Sequence, residues 1–148
     1  NAPLKALRQG LSMIVPAQLF SVLTWQQIKK LVTGGSGKLD LSLLKSQTKY
    51  SGFKKGGAEM TWFWEIMEEL DASMHASFLR FVWGRTKLPL TAAGFTDRFK
   101  IEMGSGEERI PTAMTCFFTL TMSRYSSKQV MRKKLIVAIE NGTSFAFG

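Results

Sequence analysis

The sequence predicts an α/β fold of the α+β kind, with a few-stranded sheet flanked by helices and a helical segment in front of it. Three observations predict it. Apolar residues recur at helical spacing through Trp62, Phe63, Ile66, Met67 and Leu70, and again through Phe78, Leu79, Val82 and Trp83. Side chains then alternate, first at Phe95, Phe99 and Ile101 and then from Phe117 to Met122, as they do in half-buried strands. Helical spacing returns in Val130, Met131, Leu135, Ala138 and Ile139.

The elements follow in order. Thr24-Trp25-Gln26-Gln27 fits a capping box, with Ile28, Leu31 and Val32 on one apolar face and Gly34-Gly35 as the stop. Asp40 is placed to cap a short helix through Leu41, Leu43 and Leu44. Gly34-Gly35-Ser36-Gly37-Lys38 is a loop and not a phosphate loop, because Leu39 stands where Ser or Thr is required. Tyr50-Ser51-Gly52-Phe53-Lys54-Lys55-Gly56-Gly57 is glycine-rich and charged, so it reads as a flexible boundary. Two helices follow, the second starting at Asp71 or Ser73 and ending at Gly84. Lone His75, near its start, reads as solvent-facing or packed rather than catalytic. Gly104-Ser105-Gly106 reads as a turn, and Ser126 or Ser127 as the cap of a last helix that Asn141-Gly142 breaks. Lys133 and Lys134 are expected in that helix's later turns, where they suit its dipole. The domain reading is therefore residues 1–50, helical; 51–57, a hinge; and 58–148, an α/β unit.

Composition narrows the classes. The chain has 148 residues, 45% hydrophobic and 21% charged, enough for one domain with a real core. No apolar run approaches the ~20 residues that span a bilayer. Asn1-Ala2-Pro3-Leu4 lacks the charged start and apolar run of a signal peptide, and the missing initiator Met suggests a piece of a longer chain. The net charge is +9, but the positives are dispersed and not interleaved with aromatics, so no nucleic-acid partner and no membrane is expected. A single cysteine rules out an internal disulfide and points to a reducing, intracellular compartment, cytoplasmic or nuclear.

That cysteine, Cys116, lies in the apolar segment Ile110-Pro111-Thr112-Ala113-Met114-Thr115-Cys116-Phe117-Phe118. A lone thiol is either a small buried hydrophobe or a nucleophile. A thiol on a loop that leads into a strand is where a reactive one is expected.

Three separated motifs carry a family resemblance. Trp62-Phe63-Trp64-Glu65 with Phe78-Leu79-Arg80-Phe81-Val82-Trp83-Gly84-Arg85-Thr86-Lys87-Leu88-Pro89 is similar to the aromatic helix pair of HECT-type ubiquitin ligases. Ile110-Pro111-Thr112-Ala113-Met114-Thr115-Cys116-Phe117 resembles that family's Leu-Pro-x-x-His-Thr-Cys-Phe active-site loop. Tyr125-Ser126-Ser127-Lys128, leading to Lys134-Leu135 and Ala138-Ile139, resembles the helix after it. Gly10-Leu11, Val15-Pro16, Leu44-Lys45 and Thr48-x-Tyr50-Ser51-Gly52 are in register with the end of the HECT N-terminal lobe. Met114 replaces the family's His, Phe118 its Asn and Thr121 an often acidic residue.

The resemblance implies a small catalytic C-lobe over 58–148, a hinge at 51–57 and the end of an N-lobe over 1–50. It implies that Cys116 takes ubiquitin from a ubiquitin-conjugating enzyme as a thioester and passes it to a substrate lysine. It also implies that Thr115 orients the loop or hydrogen-bonds the attacked carbonyl, and that Phe145, fourth from the end, helps place the acceptor. Nearby cations such as Arg109 or Arg124, or backbone amides, are expected to favour the thiolate. The partners implied are ubiquitin, the conjugating enzyme, bound mostly outside this chain, and a protein substrate. No cofactor and no metal are implied, and the isolated chain is expected to be weakly active or inactive. The departures imply the alternative, a non-catalytic lobe that binds ubiquitin or another partner.

Overall fold

A computed structural model describes residues 37–144. The capping box at Thr24–Gln27, the helix through Ile28–Val32 and Phe145 lie outside the described residues. Four helices and four strands make up the described part: α1 Leu41–Ser46, β1 Lys49–Ser51, α2 Ala58–Glu69, α3 Ala72–Trp83, β2 Lys100–Glu107, β3 Thr112–Met114, β4 Thr119–Arg124 and α4 Lys128–Ser144. Short 3-10 turns occupy Ala92–Gly94 and Thr115–Phe117. The sheet order is β1-β2-β4-β3, with β1 and β4 parallel to β2 and β3 antiparallel to β4. The α/β class read from the sequence is the one observed.

The caps follow local chemistry. Asp40 accepts Leu43 N–H at 2.9 Å and Asp71 accepts Met74 N–H at 2.8 Å, each relieving an orphan amide in a first turn. Gly84 ends α3 at φ 70°, a left-handed position that costs glycine nothing. The inner faces of α2 and α3 supply Phe63, Ile66, Met67, Phe78, Leu79 and Val82 to one core shared with Ile101, Leu120 and Met122.

Contacts divide the chain into two units at Ser36/Gly37, not at 50/51. Residues 37–57 belong to the second unit for a physical reason. Leu44 is fully buried, Phe53 joins the same core, and β1 adds a parallel strand to β2. The Trp64 indole N–H also donates to the Tyr50 hydroxyl at 3.0 Å. Gly52, read as a hinge glycine, sits at φ +80°, where a Cβ would lie 2.6 Å from Met103 Cβ. It permits close approach instead of swing.

Two further glycine readings change in the same way. Gly104-Ser105-Gly106 is not a turn but part of β2, with a register shift against β4 between Met103 and Glu107. A Cβ on Gly104 would stand 2.9 Å from Thr121 Cγ2, so the glycine marks two strands in close contact. Asn141-Gly142 does not break α4, which continues to Ser144. A Cβ on Gly142 would meet the Phe81 ring at 2.3 Å, so that glycine is where α4 packs against α3. Lys133 and Lys134 consequently fall in the early part of α4 and not in its last turn.

Gly142→Ala sets about 1 kcal/mol of helix propensity against about 1–3 kcal/mol of overpacking on Phe81. The expected result is a lower melting temperature. Adding Phe81→Leu to make room should recover part of it. A single variant more stable than the parent would show that Phe81 yields without cost.

Candidate active site at Cys116

The thiol is displayed by a short, closely tied loop. Met114, the last residue of β3, pairs with Thr119, the first of β4. Four residues bridge them. Thr115–Phe117 form one 3-10 turn, and Phe118 closes it at φ 47°, ψ 49°, donating its N–H to the Thr115 carbonyl at 3.4 Å. The Thr119 hydroxyl donates to the Phe117 carbonyl at 3.1 Å, and Lys100 N–H donates to the Phe118 carbonyl at 3.0 Å. Thr119 is itself buried, so the loop is anchored from inside the protein.

A left-handed phenylalanine is costly, and packing explains why it persists. The Phe118 ring is fully buried. It stacks on Trp83 at 4.3 Å with 7° between planes, and on Phe99 at 4.9 Å. Trp83 lies 6.0 Å from the nearly parallel Phe95 and carries the Arg85 guanidinium at 4.5 Å from its ring centre. Asn tolerates this backbone through its short side chain. Here an aromatic stack holds the same kind of turn. Position 118 therefore supplies core to this molecule and does not face the sulfur's solvent side.

What remains outside is Cys116 with its neighbours. Cys116 is exposed, as are Thr115, Met114 and Phe117, the last at 68%. The Thr115 hydroxyl makes no hydrogen bond to the described residues. Thr121, half-buried in β4, packs toward Gly104.

Neither expected cation sits beside the thiol. Arg124 ends β4 five residues beyond Thr119, roughly 17 Å away at strand rise. The Arg109 carbonyl accepts the Tyr125 hydroxyl at 2.8 Å, which puts that part of Arg109 at the same far end. Arg124 there lines a cleft of about 240 Å³ with Gly52, Lys54 and Gly57, at the opposite end of β4 from the thiol. The cations tied to the loop's supports are Arg85, on Trp83, and Lys100, whose amide holds Phe118. His75 is buried eight residues before Trp83, about 12 Å along α3, and is no partner for Cys116. Among the described residues no cluster of His, Cys, Asp or Glu is placed to hold a metal, and no helix is long and apolar enough to cross a membrane.

The far end of β4 carries its own pH signature. Burial pushes the Tyr125 phenol up to about 12 from 10.0. The folded protein thus keeps this proton where the unfolded chain loses it. The stability that follows is complete below pH 10 and is lost as pH rises toward 12. Tyr125→Phe should flatten the fall in denaturant midpoint between pH 9 and 11.5; an unchanged fall would exclude Tyr125 as its source.

A family model described as HECT-domain (ubiquitin-transferase) matches residues 1–148. The chain belongs to the HECT-domain family. Among its relatives is the E3 ubiquitin-protein ligase HERC2 of Homo sapiens, 41% identical over 139 residues, covering 90% of this chain and 3% of that protein. The probable E3 ubiquitin-protein ligase HUL4 of Eremothecium gossypii is 32% identical over 146 residues, covering 97% of this chain and 17% of that protein. The E3 ubiquitin-protein ligase HUWE1 of Mus musculus is 31% identical over 144 residues, covering 93% and 3%. This HECT chain therefore spans a small part of the relatives it matches.

Within the HECT frame, Cys116 and Thr115 come together on one exposed turn. The supports that sequence reasoning missed are Thr119, whose only signal is a hydroxyl just after the turn, and the Trp83–Phe118 stack. Trp83 reads in sequence as ordinary helix core, because its partner is 35 residues away.

Proposed function

We propose that this chain is the transferring part of a HECT E3 ubiquitin ligase, with Cys116 as the residue that carries ubiquitin. The observation that carries the reading is a solvent-exposed thiol on a turn fixed from beneath by buried residues. In the first step the Cys116 thiolate attacks the carbonyl carbon of the conjugating enzyme–ubiquitin thioester. A new C–S bond forms, the old one breaks, and the enzyme's thiolate leaves. In the second step a neutral lysine amine attacks the Cys116 thioester. A C–N bond forms, Cys116 leaves as thiolate, and the amine's proton passes to solvent or a base. Both steps exchange or consume a thioester, so the protein's main contribution is placement of the sulfur.

Met114 and Phe117, exposed on either side of Cys116, offer apolar surface to the incoming ubiquitin tail, and Thr115 is free to hydrogen-bond the attacked carbonyl. Phe145 is assigned a role in placing the acceptor. The end of an N-lobe is assigned to the first part of the chain and the C-lobe to the part that carries Cys116, with residues 37–57 packed into the same unit as Cys116. The conjugating enzyme and substrate bind mainly upstream, in an intracellular setting.

A second reading keeps the same exposed Met114 and Phe117 as a binding face for ubiquitin without transfer. The test is incubation of the ligase with charged conjugating enzyme, followed by gels with and without reducing agent. A ubiquitin adduct that disappears on reduction is expected. Binding of ubiquitin with no adduct would replace the first reading by the second.

A further inference from the structure

We infer that His75, the chain's single histidine, is a positioning residue that pins the segment around Leu39 to the corner between α2 and α3, and so holds the body that carries Cys116 in one conformation during transfer. The inference rests on the transfer reading above.

His75 is 3% exposed, so both ring nitrogens need partners inside the protein. Leu39 N–H approaches Nδ1 at 3.2 Å, and the Met67 carbonyl lies 2.7 Å from Nε2. An amide N–H only donates and a carbonyl only accepts. Both bonds form together only when the neutral ring carries its hydrogen on Nε2. One imidazole thereby ties three segments: the irregular segment at Leu39, the end of α2 at Met67 and the first turn of α3.

Neighbouring contacts make the same corner rigid. Gly37, at φ +77°, comes so close to α3 that a Cβ on it would touch Ala72 Cβ at 3.4 Å. Leu39 packs against the core, and Asp40 immediately caps α1. The division between the two units lies at Ser36/Gly37, two residues before the clamped amide. The chain that enters this unit is thus held from its third residue. A loose segment would leave the body that carries the thiol several conformations; a pinned one leaves fewer, and restriction of reacting groups is what raises transfer rates.

The two bonds can be separated by substitution. In His75→Gln the amide nitrogen stands where Nε2 stood, so the bond to Met67 is kept and the acceptor for Leu39 is lost. In His75→Asn the amide oxygen stands where Nδ1 stood, so Leu39 keeps its acceptor. Hydrogen exchange on the 148-residue chain should show the Leu39 amide at least tenfold less protected in His75→Gln, and nearer the parent in His75→Asn. The single histidine's nitrogen shifts should report the Nε2–H form. In the ligase, His75→Gln should slow transfer from Cys116 to lysine at least threefold, leaving Cys116 alkylation and the melting temperature close to the parent's; His75→Asn should rescue transfer.

A parent Leu39 amide that exchanges as fast as in His75→Gln would remove the clamp. Lost protection with unchanged transfer would remove its positioning role. A parent ligase with no reducible Cys116 adduct would overturn the transfer reading, and the positioning role with it, whatever the exchange rates.

Discussion

Cys116→Ala should abolish the reducible ubiquitin adduct and all ligation that depends on it, by roughly a thousand-fold or more, the scale on which loss of an attacking group acts. Cys116→Ser should hold ubiquitin as an oxygen ester that survives reducing agent, because an alkoxide is a poorer leaving group than a thiolate. The side chain is exposed and takes no part in the core. Either substitution should therefore leave stability within about 0.5 kcal/mol. The fold and the chemistry separate cleanly here, so an inactive variant cannot be explained by unfolding. Ligation that persists in Cys116→Ala at the parent's rate would end the assignment of the thioester to Cys116.

The second large effect is expected at Phe118, and it runs against the simplest guess. The active-site loop that this segment resembles has Asn at this place, so Phe118→Asn looks like a restoration. The backbone at φ 47° does favour Asn, by something on the order of 1 kcal/mol. The side chain decides otherwise. The Phe118 ring is fully buried between Trp83 and Phe99, and its removal leaves a cavity worth about 3–5 kcal/mol. An amide in that hole would also have to find partners. Burial outweighs the backbone gain. Phe118→Asn should lower the melting temperature by more than about 10 °C, and Phe118→Ala by a similar amount. Both should broaden the reactivity of Cys116 two residues away, read as loss of single-rate alkylation. Trp83→Leu should reproduce part of the effect from the other side of the stack. A Phe118→Asn protein as stable as the parent would show that the stack is dispensable.

The Phe118 case also shows which parts of this molecule were legible in advance. Helices α2, α3 and α4 were visible because an apolar stripe at 3.6-residue spacing is a local pattern, and so were the caps at Asp40, Asp71 and Gly84. Strand β4 was visible by alternation. Glycines misled repeatedly. Gly52, Gly104 and Gly142 read as hinge, turn and stop, yet each sits where another element comes too close for a Cβ. A glycine chosen for flexibility and one chosen for contact look the same in sequence; the neighbour that distinguishes them is distant along the chain.

At the site the division is similar. Cys116 and Thr115 were singled out from consecutive residues, because a loop motif is contiguous. The supposed cations Arg109 and Arg124 were placed near the thiol by sequence distance, but an extended strand carries them to the other end of the sheet. Position 118 looked like a lost polar group because its side chain's direction is not written in the sequence. It is set by Trp83 and Phe99.

The sequence by itself determined the α/β class, the helices that bury one core, the thiol and the family to which its motifs belong, all properties of residues near one another or in fixed order. Only the tertiary structure decided where the unit begins, that His75 is a buried tie and not a surface residue, and that an aromatic stack, instead of a polar group, holds the turn under Cys116. The reason is physical: those features depend on contacts between residues far apart along the chain, and such contacts exist only once the core has formed.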